Sequence, residues 1–127
     1  MAQTRQQRMA QRAFEQIKSV ANRPDTEQKD YARFAKQFPA LIHSCGLCQA
    51  VAFAQAKDHT DHIRHLAAVM EMNNKNDEFL TTIRQAQTMA YLRLSRIGLQ
   101  AASWLKRYAE ALLKDPDDDS PGKANNG

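Results

Sequence analysis

The last quarter of the chain carries the longest uninterrupted helical pattern, from Thr88 to a stop at Asp115-Pro116. Apolar side chains recur there every three or four residues, which places them on one side of a helix about 40 Å long. This apolar stripe consists of Ala90, Leu94, Ile97, Ala101, Trp104, Leu105, Tyr108 and Leu112. The pattern predicts a long C-terminal helix running to Lys114.

The composition favours helices in the rest of the chain as well. Val, Ile and Thr together number 14 of 127 residues, and Gly and Pro together only 8. Because β-branched residues are scarce, strands are disfavoured. The same composition excludes collagen-like, mucin-like and disulfide-scaffold proteins. An apolar fraction of 43% argues against wholesale disorder, and the length suffices for one domain.

Five further helices can be placed before the last one. The first spans Thr4–Ala21 and ends at Asn22-Arg23-Pro24. Its apolar side is formed by Met9, Ala13, Ile17 and Val20 together with Ala10, Phe14 and Ala21. A second begins at Asp25 or Thr26, a third covers Pro39–Lys57, a fourth starts near Thr60, and a short one spans Asp77–Ala86 after a turn over 73–77. With the last helix this makes about five to six, since the second and third adjoin at Pro39.

The predicted helix Pro39–Lys57 is apolar almost all round, which predicts a central position in the bundle. Gly46 lies inside it and is expected to allow a close approach of another helix. We therefore predict an all-α fold: a compact bundle of about five to six helices with a long C-terminal helix and a central, fully apolar helix. A single domain is expected over 1–114 and an acidic, disordered tail over 115–127.

Charge is divided unevenly along the chain. Residues 1–114 hold 17 basic and 10 acidic side chains, a net +7, whereas residues 115–127 carry −3. Within the body, 1–36 is +4, 37–83 is −2 and 84–114 is +5. Clustered basic surfaces are typical of proteins that bind polyanions, although a solvated basic surface without a partner remains open.

The outer side of the last helix is the most basic feature. Arg93, Arg96, Arg107 and Lys114 lie nearly opposite the apolar stripe, with only Glu110 beside them. Ordinary exposed helices intersperse both signs of charge, because pairs four residues apart support the helix. The imbalance favours a polyanion contact. A second set of cations lies on the first helix: Arg5, Arg8, Arg12 and Lys18.

Two clusters of reactive side chains carry weak functional signals. Cys45 and Cys48 match C-x-x-C, but within an apolar helix and without a predicted strand they are expected to be two small buried side chains. His59, His62 and His65 are expected on a polar edge of an exposed helix rather than around a metal. Whether either cluster binds anything is left open.

No signature of catalysis or export stands out. A nucleophile elbow, a phosphate loop, a zincin motif and paired carboxylates are all missing from the sequence, so we predict no catalytic residue, metal, cofactor or small-molecule substrate. The longest apolar stretch, Phe38–Ala56, is too short and too polar to span a bilayer. Without a secretory signal, a cytoplasmic protein is expected.

Two stretches resemble a known family. The first runs from Tyr31 through Phe38-Pro39 and Gly46-Leu47 to Phe53, and the second from Tyr91-Leu92-Arg93 to Trp104-Leu105-Lys106-Arg107-Tyr108-Ala109. In order and spacing they resemble the small helical subunit of the Cmr complex, the type III-B CRISPR RNA-guided effector, over about residues 4–114. Three positions depart from that pattern: Phe38, Cys45 and Tyr108.

The resemblance implies a non-catalytic role in antiviral defence. Such subunits stack in several copies along the guide–target RNA duplex beside other Cmr subunits, and cleavage belongs to those others. It makes the cations of both helices candidates for RNA phosphate contacts: Arg93, Arg96, Arg107, Lys114, Arg5, Arg8, Arg12 and Lys18. The alternatives are a freestanding helical nucleic-acid-binding module or a protein adaptor.

Overall fold

A computed structural model describes residues 2–73 and 75–117 of the chain, and in this part it contains helices and no strand. The α-helices are α1 (Arg5–Val20), α2 (Asp25–Cys45), α3 (Leu47–Ala56), α4 (Thr60–Val69), α5 (Glu78–Gln85) and α6 (Thr88–Leu112), with a 3₁₀ turn at Lys75–Asp77. The predicted all-α bundle with a long C-terminal helix is confirmed. None of the described helices is both long and apolar enough to cross a membrane.

The first helix begins and packs as its sequence predicts. Thr4 precedes it, and its hydroxyl accepts a hydrogen bond from the Gln7 N–H at 3.1 Å while the Gln7 side chain accepts one from the Thr4 N–H at 2.8 Å. This reciprocal capping satisfies two amide groups that the helix itself leaves free. Of the seven residues predicted on the apolar side of α1, Met9, Ala13, Ile17 and Val20 are buried. The other three, Ala10, Phe14 and Ala21, are only partly buried.

The predicted helix boundary at Pro39 is wrong. The helix α2 continues through Pro39 and ends only at Cys45. Phe38 and Ile42 are buried on either side of the proline, so the helix keeps one apolar face in the core across it. Burial of that face offsets the cost of a helix-interior proline, which is about 3 kcal/mol.

The chain breaks instead at Gly46. Its φ of 85° lies in the left-handed region that glycine adopts without strain, and the break separates α2 from α3. A Cβ on Gly46 would lie 2.9 Å from the Tyr91 hydroxyl, and that hydroxyl accepts a hydrogen bond from the Cys48 N–H at 2.9 Å. The close approach expected at Gly46 is therefore present, but it is made by one tyrosine side chain.

The helix α3 is not the buried centre that its apolar composition predicts. Leu47, Ala50, Val51 and Ala54 are buried, whereas Phe53 is 41% exposed. The most extensive helix contacts are those of α6 with α2 and with α1, so α6 is the central helix. The exposed side of α3 also carries Gln49, Gln55 and the small residue Ala52, so the helix is less uniformly apolar than its composition suggests.

The buried face of α6 overlaps the predicted stripe only at Ala101 and Leu105, and it is made mostly of small residues. It consists of Gly98, Ala101, Ala102, Leu105 and Ala109. Small side chains allow neighbouring helices to approach closely, and a Cβ on Gly98 would lie 3.0 Å from Leu47 Cδ1. Ala90 and Leu112, predicted as part of the stripe, are exposed because they lie at the ends of the helix.

Most of the predicted acidic tail lies outside the described residues. Its first part runs along α2, where Asp117 Oδ2 lies 3.9 Å from Lys36 Nζ and the Pro116 carbonyl accepts a hydrogen bond from Arg33 at 3.5 Å. Both contacts are on the surface. The predicted disorder of 115–127 stays a prediction.

Candidate nucleic-acid interface

The two basic helices of the chain, α1 and α6, lie side by side. The Gln6 side chain accepts a hydrogen bond from Trp104 Nε1 at 2.7 Å and donates one to Gln100 Oε1 at 3.0 Å. Further along both helices, Phe14 and Tyr108 meet edge to face with ring centroids 5.7 Å apart. Since the contacts advance together along both helices, α1 and α6 run in the same direction.

Three of the predicted cations form an exposed row on the outer side of α6: Arg93, Arg96 and Arg107. None of them forms an ion pair with a carboxylate of residues 2–73 or 75–117. Glu110 is exposed on the same helix and leaves the row clearly positive. We call these three arginines the α6 row.

Lys114 does not belong to the α6 row, although the sequence pattern predicts it there. The helix ends at Leu112, and Leu113 is extended with a φ of −101°. The Lys114 N–H then donates a hydrogen bond to Gln28 Oε1 of α2 at 3.1 Å. Because α6 ends two residues before Lys114, the side chain of Lys114 is not placed by the helical periodicity that aligns the three arginines.

The cations of α1 are placed differently from those of α6. Arg8 Nε and Arg12 Nε lie 3.4 Å and 3.1 Å from the same oxygen, Glu71 Oε2. Glu71 follows α4 with a φ of 60°, a left-handed conformation that is uncommon outside glycine. One carboxylate thus partly neutralises two of the predicted phosphate contacts, which sequence spacing alone could not show.

The other two α1 cations lie apart from this cluster. Arg5 is exposed and forms no ion pair within the described residues. Lys18 Nζ lies 5.8 Å from the centroid of the Phe14 ring, the ring that contacts Tyr108 of α6. The structure therefore divides the α1 set: Arg8 and Arg12 face α4, and Lys18 lies on the α6 side.

Two of the three clustered histidines are buried, which corrects the predicted exposed edge, while His59 is partly buried. His62 and His65 lie in the core, and His65 Nδ1 is 2.7 Å from the Tyr31 hydroxyl. His62 packs against the rings of Tyr31, Phe34 and Phe38, and neither of its ring nitrogens has a hydrogen-bond partner. The sequence held a signal for this, because His62 lies four residues before Leu66 on the apolar side of α4.

Burial dominates the protonation of this cluster. It lowers the pKa of His62 to about 3 and that of His65 to about 4, so both rings are neutral at pH 7. Burial also raises the pKa of Tyr31. Although burial opposes it, the hydrogen bond from Arg23 at 2.7 Å holds the pKa of Asp61 below its usual value. No group of three metal-ligating side chains converges among the described residues.

The cysteine pair also differs from its prediction. Cys45 is exposed at the end of α2, and Cys48 is partly exposed in the first turn of α3. Both were expected to be buried within one helix. The break at Gly46 separates them and brings each towards the surface.

A small bundle of helices whose central helix presents an unpaired row of arginines is the kind of protein that binds polyanions. Residues 5–112 match the model of a family of CRISPR-associated proteins, Cas_Cmr5. The chain belongs to this family, and the resemblance to the Cmr small subunit is confirmed.

Individual relatives agree with this assignment. The chain is 34% identical over 115 residues to the CRISPR system Cmr subunit Cmr5 of Thermus thermophilus, which covers 88% of this chain and 98% of that protein. The Thermotoga maritima protein of the same name is 27% identical over 90 residues, covering 68% of this chain and 70% of that protein. The crystal structure of a Cmr5 family protein from Thermus thermophilus matches with a TM-score of 0.80 at 34% identity, over 88% of this chain and all of that one.

Proposed function

We propose that the chain is a non-catalytic small subunit of a cytoplasmic type III-B CRISPR RNA-guided complex. In this proposal several copies stack along the guide–target RNA duplex beside other Cmr subunits and hold its phosphates through the α6 row. The names of the relatives support membership of a Cmr complex, since both are Cmr subunits. The contact with RNA is argued below from the charges of this chain.

The observation that carries the RNA contact is the difference between the two basic helices. Arg93, Arg96 and Arg107 are exposed without carboxylate partners in the described part of the chain, whereas Arg8 and Arg12 share Glu71. A guanidinium without a partner can meet a phosphate at no cost of breaking an ion pair. The α6 row is therefore the primary candidate surface, with Arg5 and Lys18 as secondary contacts.

Phosphate contacts suit a protein that must accept any target sequence. They position a nucleic acid and carry no base information. In RNA-guided complexes, sequence is recognised by pairing between the guide and the target. A row of arginines on a rigid helix supplies such sequence-blind contacts at fixed spacing.

A single copy is expected to bind RNA weakly. Three arginines neutralise about three phosphates, and the resulting affinity falls steeply as the salt concentration rises. Copies held side by side on one duplex multiply the contact, because each successive copy binds at high effective concentration. The α6 row is therefore expected to matter most in the assembled complex.

The test is charge reversal in reconstituted complexes. With Arg96→Glu and Arg107→Glu together, we expect full incorporation of the subunit and faster dissociation of target RNA. The difference in dissociation rate between this variant and the wild type should depend on the salt concentration, which is tested at two values. The same pair changed to Gln should act in the same direction and more weakly. Arg64→Glu with Arg84→Glu is the matched control, since both arginines are exposed on other helices.

The outcomes separate this function from its alternatives. Unchanged dissociation of target RNA from the charge-reversed complex would mean that the α6 row meets protein or water. Tight RNA binding by the isolated wild-type chain would favour a freestanding nucleic-acid-binding module. Partner binding that survives nuclease treatment and high salt, with no effect of charge reversal, would favour a protein adaptor.

A further inference from the structure

An aromatic side chain of α3 stands outside the core. Phe53 is 41% exposed, although the helix that carries it is mostly apolar. Its neighbour one turn later, Lys57, places Nζ 5.7 Å from the centroid of the Phe53 ring. The Phe53 ring is therefore held at the surface beside a cation.

Parallel rings support Phe53 from the protein side. Phe34 is buried in α2 and lies nearly parallel to Phe53, with an angle of 11° and ring centroids 6.4 Å apart. His59 stacks on Phe34 at 3.9 Å and 13°. Because Phe34 is buried, its ring is held by the core, and Phe53 lies parallel to it at the surface.

Two hollows adjoin the Phe53 ring. One of about 190 Å³ is lined by Phe34, Lys57, His59, Arg33 and Asp30, among others. The other, about 270 Å³, is more apolar and is lined in part by Phe38 and Leu41. A flat group could lie against Phe53 and enter the first hollow without any rearrangement of the core.

The charges around the first hollow point to the class of ligand. Lys57 and Arg33 provide two cations, and the single carboxylate there, Asp30, lies 3.8 Å from Arg33. An exposed aromatic ring flanked by cations is how proteins bind single-stranded nucleic acid: the base stacks on the ring and the cations meet the backbone. An apolar side chain of a partner protein would make no use of Lys57 and Arg33.

We propose that Phe53 is a stacking platform for one unpaired nucleobase of single-stranded RNA, with Lys57 beside a flanking phosphate and Arg33, which is paired with Asp30, as a weaker second cation. This inference rests on the proposed function, since it adds a base contact to a chain that otherwise meets only RNA phosphates. It uses residues of α2 and α3 and none of the α6 row. The contact is independent of base identity, because every base offers a flat face.

The test compares two single strands of equal length and charge at low salt, an oligouridylate and the same strand with abasic sites. For the full-length chain, Phe53→Ala should weaken binding of the oligouridylate roughly five- to a hundredfold, the range typical of a lost base–aromatic stack. Binding of the abasic strand should not change. Phe53→Tyr should retain binding, and Phe53→Leu should lose it, because leucine is apolar but has no flat ring.

Controls make each result informative. Met89→Ala removes another exposed apolar side chain, on α6, and should leave binding of both strands unchanged. Circular dichroism melting should show that each Phe53 variant folds, as expected for a half-exposed position. Unchanged oligouridylate binding by Phe53→Ala, an equal loss for both strands, or full binding by Phe53→Leu would each overturn the proposal, and the last would indicate an apolar protein contact.

Failure here is distinguishable from failure of the proposed function. Charge reversal at Arg96 and Arg107 removes phosphate contacts, so it should weaken base-bearing and abasic strands equally. Loss confined to the base-bearing strand in Phe53→Ala therefore reports stacking alone. No measurable binding of oligouridylate to the wild-type chain at low salt would overturn the stacking proposal while leaving the effect of the α6 row on assembled complexes intact.

Discussion

Arginines on the surface of this chain differ in what they can bind. Arg8 and Arg12 both lie against Glu71 Oε2, while Arg96 and Arg107 have no carboxylate partner among the described residues. A phosphate that approaches Arg8 must compete with a carboxylate already in place. Glu71 therefore lowers the positive potential beside α4, so under the proposed function we expect phosphates to meet α6 in preference to α1.

Replacing Glu71 by Gln should remove the carboxylate charge that competes with phosphate at Arg8 and Arg12. We expect Glu71→Gln to raise the RNA affinity of the isolated chain and to steepen its salt dependence, by roughly 0.7 to 0.9 in slope for each arginine that then meets a phosphate. Binding titrations at several salt concentrations measure both quantities. Glu15→Gln on α1 is the matched control, since Glu15 accepts a hydrogen bond from Gln11 and lies in no ion pair with Arg8 or Arg12. Equal effects of the two substitutions would show that net charge alone is responsible.

The buried histidines make stability depend on pH. In the unfolded chain both rings take up a proton near pH 6.5, whereas in the fold His65 does so only near pH 4 and His62 near pH 3. The unfolded state therefore binds more protons between these values, and the free energy of unfolding falls as the pH falls. Each histidine contributes a slope of about 1.4 kcal/mol per pH unit in that window. The salt-bridged carboxylate of Asp61 adds a further loss below its ordinary pKa.

Urea unfolding at neutral pH and at two acidic pH values above about 4 should show this loss directly. His62→Leu keeps an apolar side chain among Tyr31, Phe34 and Phe38 and removes two unpartnered nitrogens. Below the ordinary histidine pKa, we expect the slope of unfolding free energy against pH to be smaller in this variant by the contribution of one bound proton, about 1.4 kcal/mol per pH unit. A slope identical to that of the wild type would mean that His62 is protonated within the fold.

At the scale of elements, the sequence predicts helices well and their joints poorly. The start of α1 after Thr4, the buried residues Met9, Ala13, Ile17 and Val20 and the start of α4 at Thr60 all follow from local patterns. Pro39 and Gly46 do not, because tertiary burial decides which of them breaks the helix. Local propensity favours a break at either one, and only the packing of Phe38 and the contact with Tyr91 select Gly46.

Gly46→Ala should destabilise the joint between α2 and α3 for two separable reasons. The φ of 85° strains any residue with a Cβ, and the new Cβ would lie 2.9 Å from the Tyr91 hydroxyl. A loss of about 1 to 3 kcal/mol is expected in the free energy of unfolding. In a Tyr91→Phe background the hydroxyl is gone, so the penalty for Gly46→Ala should shrink to its backbone part. Additive effects in this double-mutant cycle would argue against the steric contact.

The helix α6 shows which features of burial can be predicted from helical periodicity and which cannot. Its spacing correctly predicts that Arg93, Arg96 and Arg107 lie outside and that Ala101 and Leu105 lie inside. It misplaces Ala90, Leu112 and Lys114, because periodicity does not show where a helix ends. Ala90 and Leu112 lie near the ends of α6 and are exposed, and Lys114 lies beyond its last residue. Periodicity thus predicts which side of a helix is polar, but neighbouring elements determine how much of the other side is covered.

At the scale of the whole molecule, the charge division sets the sign of any polyanion contact. Residues 1–114 carry +7 and residues 115–127 carry −3. Glu71 pairs with Arg8 and Arg12, and Asp117 lies beside Lys36, although these partners are far apart in sequence. The distribution of charge over the surface therefore could not be predicted from the net charges of the segments. The family and the fold class were predictable, because they depend on the order of motifs along the chain.

Removing residues 115–127 tests the role of the acidic segment at this scale. The two contacts of this segment within the described residues, Lys36 with Asp117 and Arg33 with the Pro116 carbonyl, are exposed and contribute about 0 to 1 kcal/mol, so we expect the melting temperature hardly to change. RNA affinity at low salt should rise, because −3 of charge is lost from a chain of net +4. The gain should vanish at high salt, where charges more than a few ångströms apart are screened. A full-length variant with Asp115, Asp117, Asp118 and Asp119 changed to Asn should reproduce the gain, and a clear drop in melting temperature on truncation would show instead that the segment stabilises the bundle.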